Sequence, residues 1–127
     1  MKLWIDDVRQ APEGDDWDWL TSVNEAKMEI MHCEEMLPIF KKWVELDIKY
    51  GEDPSCWKKR IKDSTIELID MDHDAGDEAY DGGDYIKLLD WLEETGRNYP
   101  IRIHSMNPVG RENMRRIIQR NGWTEVL

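Results

Sequence analysis

Apolar and polar positions alternate between strand-like and helix-like spacings along the chain, and that rhythm predicts an α/β domain. Lys2 to Ile5 reads as a short buried strand running straight into Asp6-Asp7. Gln10 to Asp16 contains Pro12, Gly14 and three acids, which is loop chemistry. Asp16 to Thr21 alternates, with Trp17 and Trp19 on one face, and predicts a second strand. Ser22-Val23-Asn24-Glu25 is a capping box, followed by Val23, Ala26, Ile30 and Cys33 at helical spacing. Leu37, Phe40, Trp43 and Val44 predict another helix after Pro38, Gly51 to Pro54 a turn, and Cys56 to Ile61 a short helical turn. Thr65 to Met71 is a third strand, buried on most of its surface, and Asp72 to Gly83 an acidic, glycine-containing loop. Tyr85, Leu88, Leu89 and Leu92 mark an amphipathic helix from Asp84 to near Gly96. Pro100 to His104 is a fourth strand, and Gly110 to Asn121 a helix stopped by Asn121-Gly122. Trp123 to Val126 has the pattern of a final short strand. Strands alternating with helices predict a layered domain with a mainly parallel sheet, and 127 residues suffice for one such unit, 1–127.

Charge narrows the partners. Seventeen Lys and Arg against 28 Asp and Glu leave −11, which argues against duplex nucleic acid and anionic membranes. A substrate with one or two phosphates is not excluded, because a local basic cluster can invert the field. No run approaches the roughly 18 apolar residues of a membrane span. The first residues turn acidic at once, unlike a signal peptide. Cys33 and Cys56 have no CxxC spacing and are expected as free, buried thiols, so the expected address is cytoplasmic. Seven Trp against one Phe place some indoles at a rim or interface.

The chemistry concentrates where strands end. In open parallel sheets, ligands bind outside the carboxyl ends of the strands. Here those ends are Asp6-Asp7, Asp70-Met71-Asp72-His73-Asp74 and His104-Ser105-Met106-Asn107. Asp6, Asp7 and Asp72 together suit Mg²⁺ or another divalent cation, since gathered like charges require a cation or protonation. Asp70-x-Asp72-x-Asp74 imitates a calcium loop, but Ala75 stands where glycine is needed and the flank is strand-like, so that reading is rejected. His73 and His104 are candidates to exchange protons with an attacking water and a leaving hydroxyl. Strand alternation puts His104 and Ser105 on opposite faces unless the strand has already ended. His32, on the capped helix, is read as a hydrogen-bonded structural residue. Asn107 to Asn113 leads into a helix bearing Arg111, Arg115, Arg116 and Arg120. Its start is an anion site in which Arg111 is the phosphate contact, while Arg116 and Arg120 are expected to pair with acids. P-loop, dinucleotide-binding, serine-hydrolase and zinc patterns are absent from the sequence.

These residues resemble a known family. Asp6-Asp7, Asp72 and Ser105 are similar to the acidic pocket of response-regulator receiver domains. The fuller set KLWIDDVR, MDHDAG, GGDYIKLLDWLEE and IRIHSMNPVGRENM resembles the cyclic-phosphate-processing receiver domains. The resemblance implies a receiver-like three-layer sandwich with a degenerate first helix and a helical insertion over 35–63 before the third strand. It implies metal binding by Asp6, Asp7, Asp72 and Asp74, with Asp72 at the phosphoacceptor position and Ser105 at the Ser/Thr switch. Catalytic roles fall to His73, His104 and Asp72, and phosphate contacts to Ser105, Asn107, Arg111 and Asn113. The implied partner is a phosphate-containing small molecule or an RNA end, and the implied activity a metal-dependent cyclic phosphodiesterase; the alternative is a non-catalytic module that senses a phosphorylated ligand or docks on a protein. No Lys follows the last strand, which counts against phosphorelay. Trp43 and Trp57 in the insertion suit a lid, a homodimer or protein contact, or a satellite core, and the last is preferred.

Overall fold

The computed structural model describes residues 1–14 and 16–127; of the expected Gln10–Asp16 loop, Asp15 lies outside the described residues. Four parallel strands, β1 (Lys2–Ile5), β2 (Trp17–Leu20), β3 (Leu68–Met71) and β4 (Ile101–Ile103), form one sheet in the order β2-β1-β3-β4. The helices are α1 (Val23–Lys49), α2 (Ser55–Ser64), α3 (Ile86–Glu94) and α4 (Pro108–Asn121), with a 3-10 turn over Gly76–Tyr80.

Period-two alternation divides the sheet into two chemically different faces. Leu3, Ile5, Ile69, Met71 and Ile101 point one way and join the core with Ala26 and Ile30 of α1, Leu88 and Leu89 of α3, and Met114 and Ile118 of α4. The register sets Trp4 beside Asp70, and Asp70 beside Arg102, on the other face. Both crossovers, β2 to β3 and β3 to β4, step the same way across the sheet. Right-handed connections then put α1 and α3 on the same side, and α4 packs into the same core before the chain returns to the sheet at the Glu125–Ile101 bridge. The receiver-like α/β order is as expected, and so is the missing first helix. The core helices α1, α3 and α4 all pack on the Leu3–Ile5 face. Over the Trp4–Asp70–Arg102 face lies the loop after Asp7, where Trp4 Nε1 donates to Arg9 O (2.8 Å) and Arg9 Nη1 to His104 O (3.4 Å).

Several local expectations are corrected. The helix runs unbroken through Pro38 instead of restarting after it. Ile30, Cys33 and Phe40 keep one buried face across the proline, and that packing outweighs a local penalty of about 3 kcal/mol. The second half of α1 and α2 form an antiparallel hairpin whose rings stack, Trp57 on Phe40 (6.1 Å) and on Trp43 (5.8 Å), as a satellite core would. The capping box is half made: Glu25 N donates to Ser22 Oγ (3.1 Å), but the Glu25 carboxylate is met by Thr21 Oγ1 (3.1 Å) rather than by the Ser22 amide. Of the final strand only a single parallel bridge forms, Glu125 with Ile101. Cys33 is buried but Cys56 is exposed, because α2 is solvated on the side away from α1. His32 is exposed on α1 and makes no hydrogen bond among the described residues. Trp19 and Trp43 are the most exposed indoles, at 38% and 45%, while Trp17, Trp57, Trp91 and Trp123 are half-buried. Among the described residues no helix is long and apolar enough to cross a membrane.

Candidate functional site

The carboxyl ends of β1 and β3 deliver three acids to one point. One oxygen each from Asp6, Asp7 and Asp72 lies within 4.8 Å of the other two. Asp6 is buried, and its oxygens are heavily used. Oδ1 accepts from the amides of Val8 (2.9 Å) and Arg9 (2.8 Å), while Oδ2 lies 2.9 Å from His104 Nε2. A carboxylate oxygen offers about two lone pairs, so Oδ2 keeps one for a further partner. Burial alone raises the affinity of Asp6 for a proton, but the Arg9 and Val8 amides and His104 outweigh it and hold the carboxyl below its usual range. Asp7 shifts upward, through burial first and then through the negative charges of Asp6 and Asp72. Gly76 closes over it: a Cβ there would overlap Asp7 Oδ2, and φ is +54°. Asp72 Oδ1 accepts from the His73 amide at 2.7 Å. Tyr85, fully buried beneath, donates to Thr21 O (2.7 Å); burial and the three acids push its phenol upward.

Beside the acids, on the helix-free face, stands a chain of charged groups. His104 lies flat on Trp4, with ring centroids 3.9 Å apart and planes at 2°. Its Nε2 faces Asp6, and its Nδ1 faces Asp70 Oδ1 at 2.7 Å. Asp70 has no solvent exposure, and its second oxygen accepts from Arg102 Nε (2.7 Å) and Nη2 (2.6 Å). β4 ends at Ile103, yet the His104 amide still donates to Met71 O (3.0 Å). Alternation therefore persists one residue longer. His104 turns to the acids, and Ser105 turns inward, buried, with Oγ accepting from the Asn107 amide (3.1 Å).

On the helix-covered side the β3 and β4 loops meet. His73 Nδ1 lies 2.8 Å from Asp74 Oδ1, and Asn107 Nδ2 approaches the same carboxylate at 3.4–3.5 Å. Asp74 thus serves His73 and Asn107 and does not join the three converging acids expected to share a metal with it. The His73 ring rests on the first turn of α4, where a Cβ on Gly110 would come within 2.7 Å of Cδ2 and 2.8 Å of Nδ1. Asn107 caps α4, its Oδ1 accepting from Gly110 N (3.0 Å), so its side chain is held for structural work at one end. Arg111 is half-buried, and its Nε is buried without a hydrogen-bond partner among the described residues. Asn113 is exposed in the second turn of α4 and makes no side-chain hydrogen bond among the described residues. Arg116 pairs with Glu112 (3.7 Å) and Arg120 with Glu93 (2.7 Å), as expected; Arg115 pairs with Glu125. A groove of about 560 Å³ near Met1, Trp17, Lys59 and Lys62 lies at the opposite, amino edge of the sheet and includes none of these residues.

With that arrangement in view, a family model for the cyclic-phosphate processing receiver domain matches residues 1–120. The chain belongs to that family. Neither a curated protein nor a solved structure gives a significant match. The sheet order sets the carboxyl ends of β1 and β3 side by side, where Asp6, Asp7 and Asp72 meet. Three members of this receiver's site escaped sequence reasoning: Trp4, Asp70 and Arg102. One signal for them was present, an Asp inside the otherwise apolar end of TIELIDM. Period two then puts it on the face of Trp4, Arg102 and His104.

Proposed function

We propose that this receiver domain opens a cyclic phosphate on an RNA end or a nucleotide, with a divalent cation such as Mg²⁺ held by Asp6, Asp7 and Asp72. The observation that carries the reading is the convergence of those three carboxylates at one sheet edge, with the His104 imidazole against Asp6. The donor set fits a hard cation. It is all oxygen, it lies at the mouth of the sheet where waters can complete the shell, and it comprises like charges that raise the proton affinity of Asp7. When bound, the metal would neutralise charge growing on the phosphate oxygens.

The chain's own residues supply the remainder. Arg111, with an unsatisfied Nε, and the α4 amino terminus behind Asn107 would grip the non-bridging oxygens. Ser105 and Asn107 would fix the loop that carries His104 to the acids. The test is incubation with 2′,3′-cyclic mononucleotides and Mg²⁺, with chromatography of the 2′- and 3′-monophosphates. Ring opening that is lost on chelation supports the proposal. Metal-dependent ligand stabilisation without turnover, across all four bases, favours a sensing module instead.

A further inference from the structure

The two site histidines are engaged in opposite ways. Each nitrogen of His104 faces a carboxylate, Asp70 on Nδ1 and Asp6 on Nε2, and the ring lies flat against Trp4. No ring atom is left with hydrogen-bonding capacity for a substrate. His73 is anchored at one end only. Nδ1 is held by Asp74, the ring face rests on Gly110, and Nε2 has no partner among the described residues. An imidazole fixed through one nitrogen by a carboxylate and open at the other is the arrangement that moves protons.

We infer that the histidines divide the work: His73, through Nε2, exchanges protons with the substrate, and His104 is a positioning residue that fixes Asp6, itself held by Asp70, Arg102 and Trp4. The inference rests on the cyclic-phosphate reading above. The proton balance requires only one free imidazole. The water oxygen forms a bond to phosphorus and gives up a proton to Nε2. The bond from phosphorus to one ribose oxygen breaks, its electron pair stays on that oxygen, and Nε2 returns the proton there. A phosphodiester and water become a phosphomonoester and a hydroxyl. Asp74 is the positioning residue for His73, as Asp70 is for His104.

Two kinds of measurement test this. The first needs no metal and no turnover: carbethoxylation followed by peptide mapping, together with ¹⁵N-detected imidazole NMR. Modification at His73 at least tenfold faster than at His104 is expected, as are slowly exchanging ring N–H signals for His104 alone. Equal modification, or His104 signals that exchange with solvent like those of exposed His32, overturns the assignment. The second is kinetic, with a 2′,3′-cyclic mononucleotide. His73→Gln lowers kcat by 100-fold or more at little change in KM. His104→Gln and Asp70→Asn act chiefly by raising the Mg²⁺ concentration required, and excess Mg²⁺ restores most of the rate. A His73→Gln protein with wild-type kcat, or a His104→Gln protein whose lost kcat no Mg²⁺ restores while its melting curve is unchanged, overturns the division of roles. A wild-type protein that turns over no cyclic nucleotide overturns the functional reading itself, and this inference with it.

Discussion

Gly110→Ala separates the folding role of a residue from its role in the site. Gly110 is buried in the first turn of α4, where an added methyl group normally helps. The gain in helix propensity and unfolded-state entropy is about 1 kcal/mol. Against it stands the His73 ring. The new Cβ would sit 2.7 Å from Cδ2 and 2.8 Å from Nδ1, whereas ordinary contact begins at 3.4 Å. The ring's Cγ would be closer still, so the ring must retreat by more than the 3.4 − 2.7 = 0.7 Å that Cδ2 alone requires. Overpacking of that size costs about 1–3 kcal/mol, and the net loss of stability is therefore about 0–2 kcal/mol. Turnover is far more sensitive, because displacing a reacting group by about 1 Å costs on the order of 100-fold. The assay pairs thermal melts with cyclic-nucleotide hydrolysis for Gly110→Ala, His73→Gln and the double variant. Since Gly110 acts through His73, the double variant should be no slower than His73→Gln alone. A Gly110→Ala protein at full rate, or rate losses that multiply in the double variant, would show that the ring's seat on α4 has no bearing on the chemistry.

Three further outcomes are expected. Asp18 points to the core side of β2, and burial first, then Glu29 and Glu25, raise its carboxyl from 3.8 to about 6. From about pH 4 to 6 the folded state keeps a proton that the unfolded state has lost, so stability falls as pH rises through that window. Asp18→Asn should therefore raise stability by about 1–2 kcal/mol at pH 7.5, the full shift being discounted for partial solvation, and change it little at pH 4; a pH-independent difference in urea melts would refute this. Asp7→Asn relieves the charge crowding of Asp6 and Asp72, so its melting temperature without metal should exceed the wild type's at neutral pH. The wild type should gain about 1.4 kcal/mol with Mg²⁺ at ten times its Kd, and Asp7→Asn nothing. Trp57→Ala removes the ring that stacks on Phe40 and Trp43, and should lower stability by about 2–4 kcal/mol while leaving kcat unchanged; a lower kcat in the still-folded protein would show that the hairpin serves the site.

What the sequence makes legible follows from what local physics controls. The strand cores and the amphipathic faces of α3 and α4 are written in period two and period 3.6, and they appear within a few residues of their expected bounds. The carboxyl-edge rule then locates Asp6, Asp7 and Asp72 correctly, because β1 and β3 are neighbours and their ends are level: Ile5 stands opposite Met71. Pro38 misleads because a local penalty is read without the tertiary face that overrides it. Asp74 misplaces for a different reason. Once a strand has ended, side-chain direction is set by loop and cap geometry, and His73 and the α4 cap claim Asp74 and Asn107. No periodicity encodes that choice.

The missing first helix and the His104 network are one feature. A receiver-like helix packed on the second face of the sheet would need apolar residues beside Trp4 at Asp70 and Arg102, the positions that instead carry a carboxylate and a guanidinium. Without the helix, the face is free to hold a hydrogen-bonded line from Arg102 through Asp70 and His104 to Asp6. Asp70 has no exposure, and a buried carboxylate survives only when fully paired; here it has Arg102 on one oxygen and His104 on the other. Removing either partner strands a charge, which explains why an otherwise awkward polar strand interior is self-consistent. The same line ends on the one acid that three other donors already hold: the amides of Val8 and Arg9 on Oδ1, and His104 on Oδ2. Asp6 is therefore the most firmly held member of the acid trio, with three donors against the single His73 amide on Asp72.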